Sequence, residues 1–327
     1  MMPTPRLRVV RSRGGRPVHV AQKPTSTSPD RSLPGERMRR VALRIVPLLG
    51  VLGTLVSCST SGPFIKRTED FEMTIRFQGL DRTFQVHLPA GYTGDAETPV
   101  LFVLHGSGSS GEAVRGQTEM DRVADALGFI VVYPDAEPSW AYPGSDAAQR
   151  GIDDVAFIED LIDRLRNLLV VDARRVYATG FSMGGFLTHT LACRLADRFA
   201  GVAPVAATMP SELSRDCGPA RTLSVLMVHG TLDASVPFDG DSARGRLSVN
   251  QSLELWARAN GCDAAPSIAH LGADSAAGIA LRRETYGGCS GNGVTVLDAL
   301  EGGRHTWPQG FYQASDSIAQ FLLRYRR

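Results

Sequence analysis

The feature that most constrains the fold is a repeated alternation between continuous apolar runs and amphipathic helical segments. Four runs are apolar at almost every position, as expected of strands buried on both faces of a sheet: residues 100–104, 129–133, 176–181 and 224–228. Helical periodicity separates the runs, most clearly over 155–169, where Asp153 and Asp154 offer an N-cap. Strands alternating with helices predict an α/β protein with a doubly wound, mostly parallel sheet.

The segments around these runs complete one domain. Residues 71–77 and 84–88 alternate between apolar and polar side chains, which predicts an N-terminal antiparallel hairpin. Further helices are predicted over 117–126, 183–195, 249–259 and 313–324, and a further strand over 294–300. We therefore predict a single α/β domain over residues 71–327, joined to the preceding chain by a polar tether over 58–70.

The first 57 residues differ in charge from the rest of the chain. They contain eleven Lys and Arg against Asp30 and Glu36, a net charge of +9, so the remainder carries −8 of the formal total of +1. Phosphate neutralisation requires clustered basic side chains, and an acidic body without them is a poor nucleic-acid binder. We therefore expect no nucleic-acid partner.

The N-terminal segment is predicted to be a leader and signal peptide over residues 1–57. Arg39 and Arg40 precede an apolar run from Ile45 to Val56 that is too short to span a membrane but typical of a signal peptide. The run ends at Leu55-Val-Ser-Cys58, which is similar to the bacterial lipobox, whose cysteine is lipidated. We expect an exported lipoprotein anchored at Cys58 in the periplasm or at the cell surface, with the lipid as its sole membrane contact. The alternative is a secreted protein in which the cysteine is incidental. The sequence also leaves open whether the chain starts at Met1 or Met38 and whether export uses the Sec or the Tat route.

The remaining cysteines agree with export. Four lie in the body, and an even number in an exported domain indicates two disulfides. Three pairings are open, and four free thiols are the alternative; we expect Cys193 to pair with Cys217 and Cys262 with Cys289. No Cys or His pair has the spacing of metal ligands, so no metal is predicted.

A glycine-rich loop follows the strand at 100–104. From His105 to Gly111 it contains GxGxxG, and Asp135 ends the next strand, which imitates a dinucleotide-binding fingerprint. Against NAD binding, the helical pattern does not clearly begin at these glycines, and an exported protein has little access to NAD. We expect no cofactor.

A second loop predicts a catalytic serine. Gly180-Phe-Ser182-Met-Gly184 lies between the strand at 176–181 and the helix at 183–195. In this position GxSxG forms a sharp turn that raises the serine hydroxyl above the sheet. The start of the helix adds positive potential and free N–H groups.

A serine hydroxyl is a weak nucleophile, so the prediction requires a base and an acid that orients the base. The expected chain order is serine, acid, histidine. His305 lies in a glycine-rich loop after the strand at 294–300, whereas His270 has no such setting. Asp233 follows the strand at 224–228, with Asp239 and Asp241 as reserve candidates.

The glycine-rich loop from His105 to Gly111 is predicted to contribute to the same reaction. This type of site takes a second oxyanion donor from a loop after an early strand. We assign the backbone N–H groups of Met183 and Ser107, and less firmly that of Gly108, to the oxyanion hole. His105 is expected to brace the loop rather than transfer protons.

Together these motifs resemble a known family, the poly(3-hydroxybutyrate) depolymerase and feruloyl esterase group of exported α/β-hydrolases, including its lipoprotein members. The motifs are Leu104-His-Gly106, Ile152-Asp-Asp-Val-Ala-Phe-Ile158, Asp172-Ala-Arg-Arg-Val-Tyr177, Gly180-Phe-Ser-Met-Gly-Gly185, His229-Gly-Thr-Leu-Asp233, Asn260-Gly-Cys262 and Gly303-Arg-His-Thr-Trp-Pro308. The resemblance implies an α/β-hydrolase fold with Ser182 as nucleophile, Asp233 as acid and His305 as base. It also implies the disulfide pairing given above, and it leaves Asp153 and Asp154 as structural residues.

The predicted function is that of a serine esterase that forms an acyl-enzyme. Short hydroxyalkanoate oligomers, feruloyl esters or similar small esters are the expected substrates of a monomeric enzyme. Trp140, Tyr142 and Trp307 are candidates for lining an acyl or aromatic pocket, with plain packing as the alternative. An acyltransferase acting on cell-envelope sugars and a non-catalytic surface-binding lipoprotein stay open as other functions.

Overall fold

A ten-stranded sheet forms the centre of the molecule. The computed structural model describes residues 68–291 and 293–327. The strands are β1 (Phe71–Phe77), β2 (Leu80–His87), β3 (Thr98–Leu104), β4 (Ile130–Pro134), β5 (Val171–Phe181), β6 (Gly201–Val205), β7 (Ser224–Gly230), β8 (Ser267–Asp274), β9 (Ile279–Tyr286) and β10 (Thr295–Glu301). Their order is β1-β2-β4-β3-β5-β6-β7-β10-β9-β8. The six strands from β4 to β10 in this order are parallel, and antiparallel strands flank them.

Helices cover both faces of the sheet. They are α1 (Gly111–Thr118), α2 (Met120–Leu127), α3 (Asp146–Gln149), α4 (Asp154–Leu168), α5 (Met183–Arg194), α6 (Ser211–Ser214), α7 (Val249–Ala259) and α8 (Ala314–Leu322). Helices α4, α5 and α7 pack on one face, while α1, α2 and α8 pack on the other. In β3, Phe102 points into the first core and Val103 into the second, so both faces of the strand are apolar. The predicted doubly wound fold with an N-terminal hairpin is confirmed.

Helix α4 shows how two adjacent acidic residues take different structural roles. Asp153 caps the helix by accepting the N–H of Ala156 at 3.0 Å. Asp154 is fully buried, and Arg82 donates to it at 2.6 Å. The other oxygen of Asp154 accepts the N–H of Ala141 at 2.6 Å. Both residues therefore have structural roles, as predicted. Asp154 connects Arg82 of β2 with the loop that follows β4.

Several elements differ from the prediction, among them two in the sheet and one in the helices. Strand β6 was missed because its sequence, Gly-Val-Ala-Pro-Val, is short and contains residues that disfavour strands. The hairpin of β8 and β9 was missed because β8 is exposed almost throughout and so shows no apolar alternation. The helix predicted over 117–126 is two helices, separated at Glu119, whose φ of 49° breaks the helical path.

The start of α1 differs from the prediction for the glycine-rich loop. The helix begins at Gly111, capped by Ser110, so a helix does begin at these glycines. A Cβ atom on Gly111 would lie 2.6 Å from the carbonyl oxygen of Tyr133, which explains the glycine by close packing. Asp135 accepts the N–H of Gly111 at 2.6 Å. Gly111 and Asp135 thus have a structural explanation that involves no nucleotide.

The structure contains both expected disulfides, Cys193–Cys217 and Cys262–Cys289. Disulfides persist in oxidising compartments, which agrees with an exported protein. Cys58, the signal peptide and the tether up to residue 67 lie outside the described residues. Among the helices that the structure describes, none has the length and apolar character needed to cross a membrane.

Candidate active site

Ser182 lies in a tight turn between β5 and α5. Its φ of 53° and ψ of −111° are strained for a residue with a side chain. Its N–H donates to the carbonyl oxygen of Val205 on β6 at 2.9 Å. Cβ atoms on Gly180 or Gly184 would lie 2.4 Å from the Gly184 oxygen and 2.3 Å from the Leu104 oxygen, respectively. Both glycines are therefore required by close packing, and together they hold the serine at the top of the sheet.

Met183 is the first residue of α5 and directly follows the serine. The N–H groups of a helix's first turn have no partner within the helix, and the positive end of the helix dipole lies there. The Ser182 hydroxyl is thus placed where a developing negative charge is stabilised.

Asp233 lies in the loop after β7 and is buried. One carboxylate oxygen accepts the N–H groups of Ser235 at 2.9 Å and Val236 at 2.7 Å. Burial by itself would raise the pKa of Asp233, but the hydrogen bonds from His305 and Val236 outweigh burial and lower the pKa. The carboxylate is therefore ionised at neutral pH and its second oxygen is free for His305.

His305 joins the acid to the serine. Its Nδ1 lies 2.7 Å from Asp233 Oδ2, and its Nε2 lies 3.0 Å from Ser182 Oγ. Because an ionised carboxylate can only accept, Nδ1 carries the proton and Nε2 is left to accept from the hydroxyl. The ring of Phe181 packs on the imidazole, with centroids 4.9 Å apart.

Strand pairing explains why residues so distant along the chain meet. Strands β7 and β10 are parallel neighbours, so the loops after them leave the same edge of the sheet. Thr231 N–H donates to Leu300 O at 2.9 Å, and Leu232 N–H donates to Gly303 O at 2.8 Å. A Cβ atom on Gly230 would lie 2.4 Å from Gly303 O, so the two loops are packed together directly.

The loop after β3 is held rigidly by His105. Its Nδ1 lies 2.7 Å from the carbonyl oxygen of Gly106, and its Nε2 accepts the N–H of Ala136 at 3.1 Å. Burial lowers the pKa of His105, so the ring is neutral. Ser107 and Gly108, whose φ is +65°, form the turn that this histidine supports. His105 therefore braces the loop, as expected from the sequence.

A cavity of about 550 Å³ opens beside the turn that carries the serine. Met183 and Phe186 of α5 form part of its wall, and Trp140 and Tyr142 form another part. The rings of Tyr142 and Phe186 lie 5.1 Å apart. Trp140 is fully buried, and its indole donates to the carbonyl oxygen of His105 at 3.0 Å. Trp140 and Tyr142 thus border the cavity near the serine, and Trp140 is at the same time packed in the core.

Trp307 does not line this cavity, and its placement corresponds to packing, the alternative that the sequence left open. It is buried in the second core, and its indole donates to Ser315 Oγ at 3.0 Å. Because α8 follows within a few residues of His305, the chain turns Trp307 into the layer beneath that helix.

One further side chain, to which the sequence assigns no role, lies beside the acid: His229, the first residue of the motif that ends at Asp233. His229 is buried on β7. Its Nε2 lies 2.8 Å from Val236 O and 3.5 Å from Asp233 Oδ2. Its position four residues before Asp233, at the end of a strand, is the signal that could have identified it. As to metals, no group of three or more His, Cys, Asp or Glu in residues 68–291 and 293–327 is placed to hold an ion.

Comparison with known proteins identifies the family. Residues 78–271, more than half of the chain, match the Esterase family model, described as "Putative esterase". The chain belongs to this esterase family. Over 257 residues it is 31% identical to the "Putative esterase NocK" of Nocardia uniformis subsp. tsuyamanensis, covering 72% of this chain and 73% of that one. The predicted family resemblance is confirmed, and the protein is a carboxylic ester hydrolase.

Two further likenesses concern a fungal enzyme and a solved structure. Feruloyl esterase B of Piromyces equi is 30% identical over 252 residues, 73% of this esterase; the match spans only 45% of that longer protein. The structure of an acetyl xylan esterase from Aspergillus awamori has a TM-score of 0.57 at 15% identity, covering 77% of this chain and 98% of that one. The structural likeness supports the α/β-hydrolase fold of this esterase.

Proposed function

We propose that this esterase cleaves its substrates through an acyl-enzyme on Ser182, with His305 as base and Asp233 as the orienting acid. The unbroken series of contacts from Ser182 Oγ through both nitrogens of His305 to Asp233 carries the proposal. His305 Nε2 takes the proton as Ser182 Oγ attacks the ester carbonyl. Asp233, ionised and held by two backbone N–H groups, stabilises the imidazolium that results.

The tetrahedral intermediate carries an oxyanion that needs donors. We assign these donors to the N–H groups of Met183, at the start of α5, and of Ser107, with Gly108 as the neighbouring candidate. Preorganised donors of this kind contribute about 3 kcal/mol each to transition-state stabilisation. The bracing of the loop by His105 supports the assignment, because a rigid donor costs no reorganisation during the reaction.

The intermediate then collapses by breaking the bond between the carbonyl carbon and the alcohol oxygen. His305 returns its proton to the leaving alcohol, and the acyl group stays on Ser182. Water, deprotonated by the same imidazole, attacks the acyl-enzyme and releases the acid.

For the substrate, we propose small carboxylic esters: feruloyl esters, short hydroxyalkanoate oligomers or similar compounds. A cavity of about 550 Å³ accommodates a molecule of this size. The aromatic pair of Tyr142 and Phe186 offers an apolar surface for an acyl group. The similarity to a protein named feruloyl esterase supports the aromatic acyl class.

The proposal is tested by exposing the purified protein to a fluorophosphonate probe and to p-nitrophenyl, feruloyl and hydroxybutyrate esters. We expect covalent labelling of Ser182, a burst of alcohol and release of free acid. Labelling at another residue, or none, would contradict the assignment of the nucleophile. Adding a sugar acceptor separates hydrolysis from acyl transfer, because transfer would yield an acylated sugar instead of the acid.

We also propose that Cys58 carries a lipid anchor. The apolar run followed by Leu55-Val-Ser-Cys58 supports this, since two or more acyl chains are sufficient to hold a protein on a membrane. In a bacterial host fed a labelled fatty acid, the wild-type protein should carry label and enter the detergent phase on Triton X-114 partition. Cys58→Ser should lose both properties while Ser182→Ala keeps them; label retained by Cys58→Ser would refute the anchor.

A further inference from the structure

The cavity beside Ser182 has an unusual charge distribution for a site that receives an ester. Three arginines line it, Arg215, Arg244 and Arg246, against the two acidic residues Asp146 and Glu212. Arg244 is paired with Asp241, whose oxygen lies 3.3 Å away. Among the residues that the structure describes, neither Arg215 nor Arg246 forms an ion pair with a carboxylate.

Arg246 is the arginine whose position is set by the site itself. One of its terminal nitrogens donates to the carbonyl oxygen of Ser235 at 2.8 Å. Its guanidinium lies 5.0 Å from the centre of the Phe186 ring. Its charge also acts on Tyr142. Burial raises the pKa of Tyr142, and the positive charge of Arg246 reduces this rise. The guanidinium is thus fixed at the aromatic wall of the cavity.

These contacts leave most of the hydrogen-bonding capacity of Arg246 unused. A guanidinium has five N–H donors in a planar fork that matches a carboxylate. One donor is used by Ser235, and no other side-chain hydrogen bond from Arg246 is found among the residues that the structure describes. A guanidinium at the cavity wall that has no acidic partner in the described part of the chain favours a ligand that carries a carboxylate.

The same group is connected to the loop that carries Asp233. Ser235, which holds Arg246, is two residues from Asp233, and its own N–H donates to that carboxylate at 2.9 Å. Met183, which follows the nucleophile, lines the same cavity as Arg246. An anion bound at Arg246 can therefore belong to the ester molecule that Ser182 attacks.

We propose that the cavity recognises esters that carry a free carboxylate, with Arg246 as the specificity-determining residue. This inference rests on the proposed function, since it assumes that Ser182 attacks an ester at the mouth of this cavity. An ester of a hydroxy acid with an unblocked carboxyl end has the required chemistry, as does a monoester of a dicarboxylic acid.

The test compares each acidic ester with its neutral amide of nearly the same shape. In one arm the carboxylate is in the acyl part: mono-p-nitrophenyl glutarate against the corresponding glutaramate. In the other arm it is in the alcohol part: 3-butanoyloxybutanoate against 3-butanoyloxybutanamide. We expect the wild type to prefer the acid about tenfold in kcat/KM in one arm, which identifies the part of the substrate that enters the cavity.

Three variants test whether the preference for the acidic ester depends on Arg246. Arg246→Gln should lower the acid-to-amide ratio of kcat/KM about tenfold, and Arg246→Lys should retain part of the ratio because it keeps the charge without the fork. Arg258→Gln, which removes an exposed arginine of α7, is the matched control for net charge and should leave the ratio unchanged. One further measurement needs no variant. Free glutarate should inhibit hydrolysis of the neutral ester that carries an amide group, whereas glutaramide should not inhibit it.

The outcomes separate the two proposals. If the wild type hydrolyses acid and amide equally in both arms, or if Arg246→Gln keeps the full preference, carboxylate recognition by Arg246 is refuted and the esterase mechanism stands. If no ester is hydrolysed and the fluorophosphonate probe does not label Ser182, the proposed function itself fails.

Discussion

Replacing Ser182 by alanine is expected to lower kcat for every accepted ester by roughly 10⁴-fold or more. The reason is that His305 Nε2, 3.0 Å from Ser182 Oγ, then has no hydroxyl to deprotonate and no acyl-enzyme can form. Only the oxyanion donors and substrate binding remain. Initial rates with a p-nitrophenyl ester, measured at saturating substrate, test this expectation directly.

The control is a serine of the same chain that lies outside the site. Ser267 is exposed at the start of the edge strand β8, and Ser267→Ala should keep wild-type kinetics. Thermal unfolding of Ser182→Ala should resemble that of the wild type. Full turnover by a folded Ser182→Ala protein would show that another group is the nucleophile.

Replacing Asp154 by alanine should destabilise the fold by about 3–5 kcal/mol, the usual cost of removing one partner from a buried ion pair. Arg82 is almost completely buried, and its guanidinium lies 3.7 Å from the centre of the Phe157 ring. Without Asp154, the positive charge of Arg82 remains in the core without a counter-ion. The Ala141 amide loses its acceptor as well.

Asp153→Ala provides a matched control one residue away. It removes the exposed N-cap of the same helix, which costs about 1 kcal/mol. Urea unfolding monitored by tryptophan fluorescence, with the disulfides intact, measures both free energies of unfolding. Equal losses for the two variants would contradict the buried ion pair as the source of the stability.

The sequence predicts those elements whose side-chain pattern is set by burial alone. Helix α4 and strand β3 were identified because their apolar positions follow the period of their own backbone. Strand β6 could not be identified in this way, because its five residues are all buried but include Gly, Ala and Pro, which give no strand signal in the sequence. The hairpin of β8 and β9 lies at the exposed edge of the sheet, where burial imposes little pattern.

The candidate site shows the same division. Ser182, Asp233 and His305 were singled out because each is a chemically distinctive residue in a loop after a strand. Arg246 was not, because an arginine in a polar loop has nothing in its sequence to separate it from the other surface arginines. For Trp307 the sequence left open a place in the pocket or in the core, and the packing around α8 places it in the core.

By itself, the order of residues determined the layered α/β fold, the disulfide-containing body and the three residue types that acyl transfer requires. These follow from local physics: backbone period, burial and the chemistry of single side chains. Only the tertiary structure decided which donor faces which acceptor, such as the 2.7 Å contact between His305 and Asp233 and the placement of Arg246 at the cavity wall, where it donates to Ser235. Such distances depend on how parallel strands are ordered in the sheet, and a linear pattern does not encode that order.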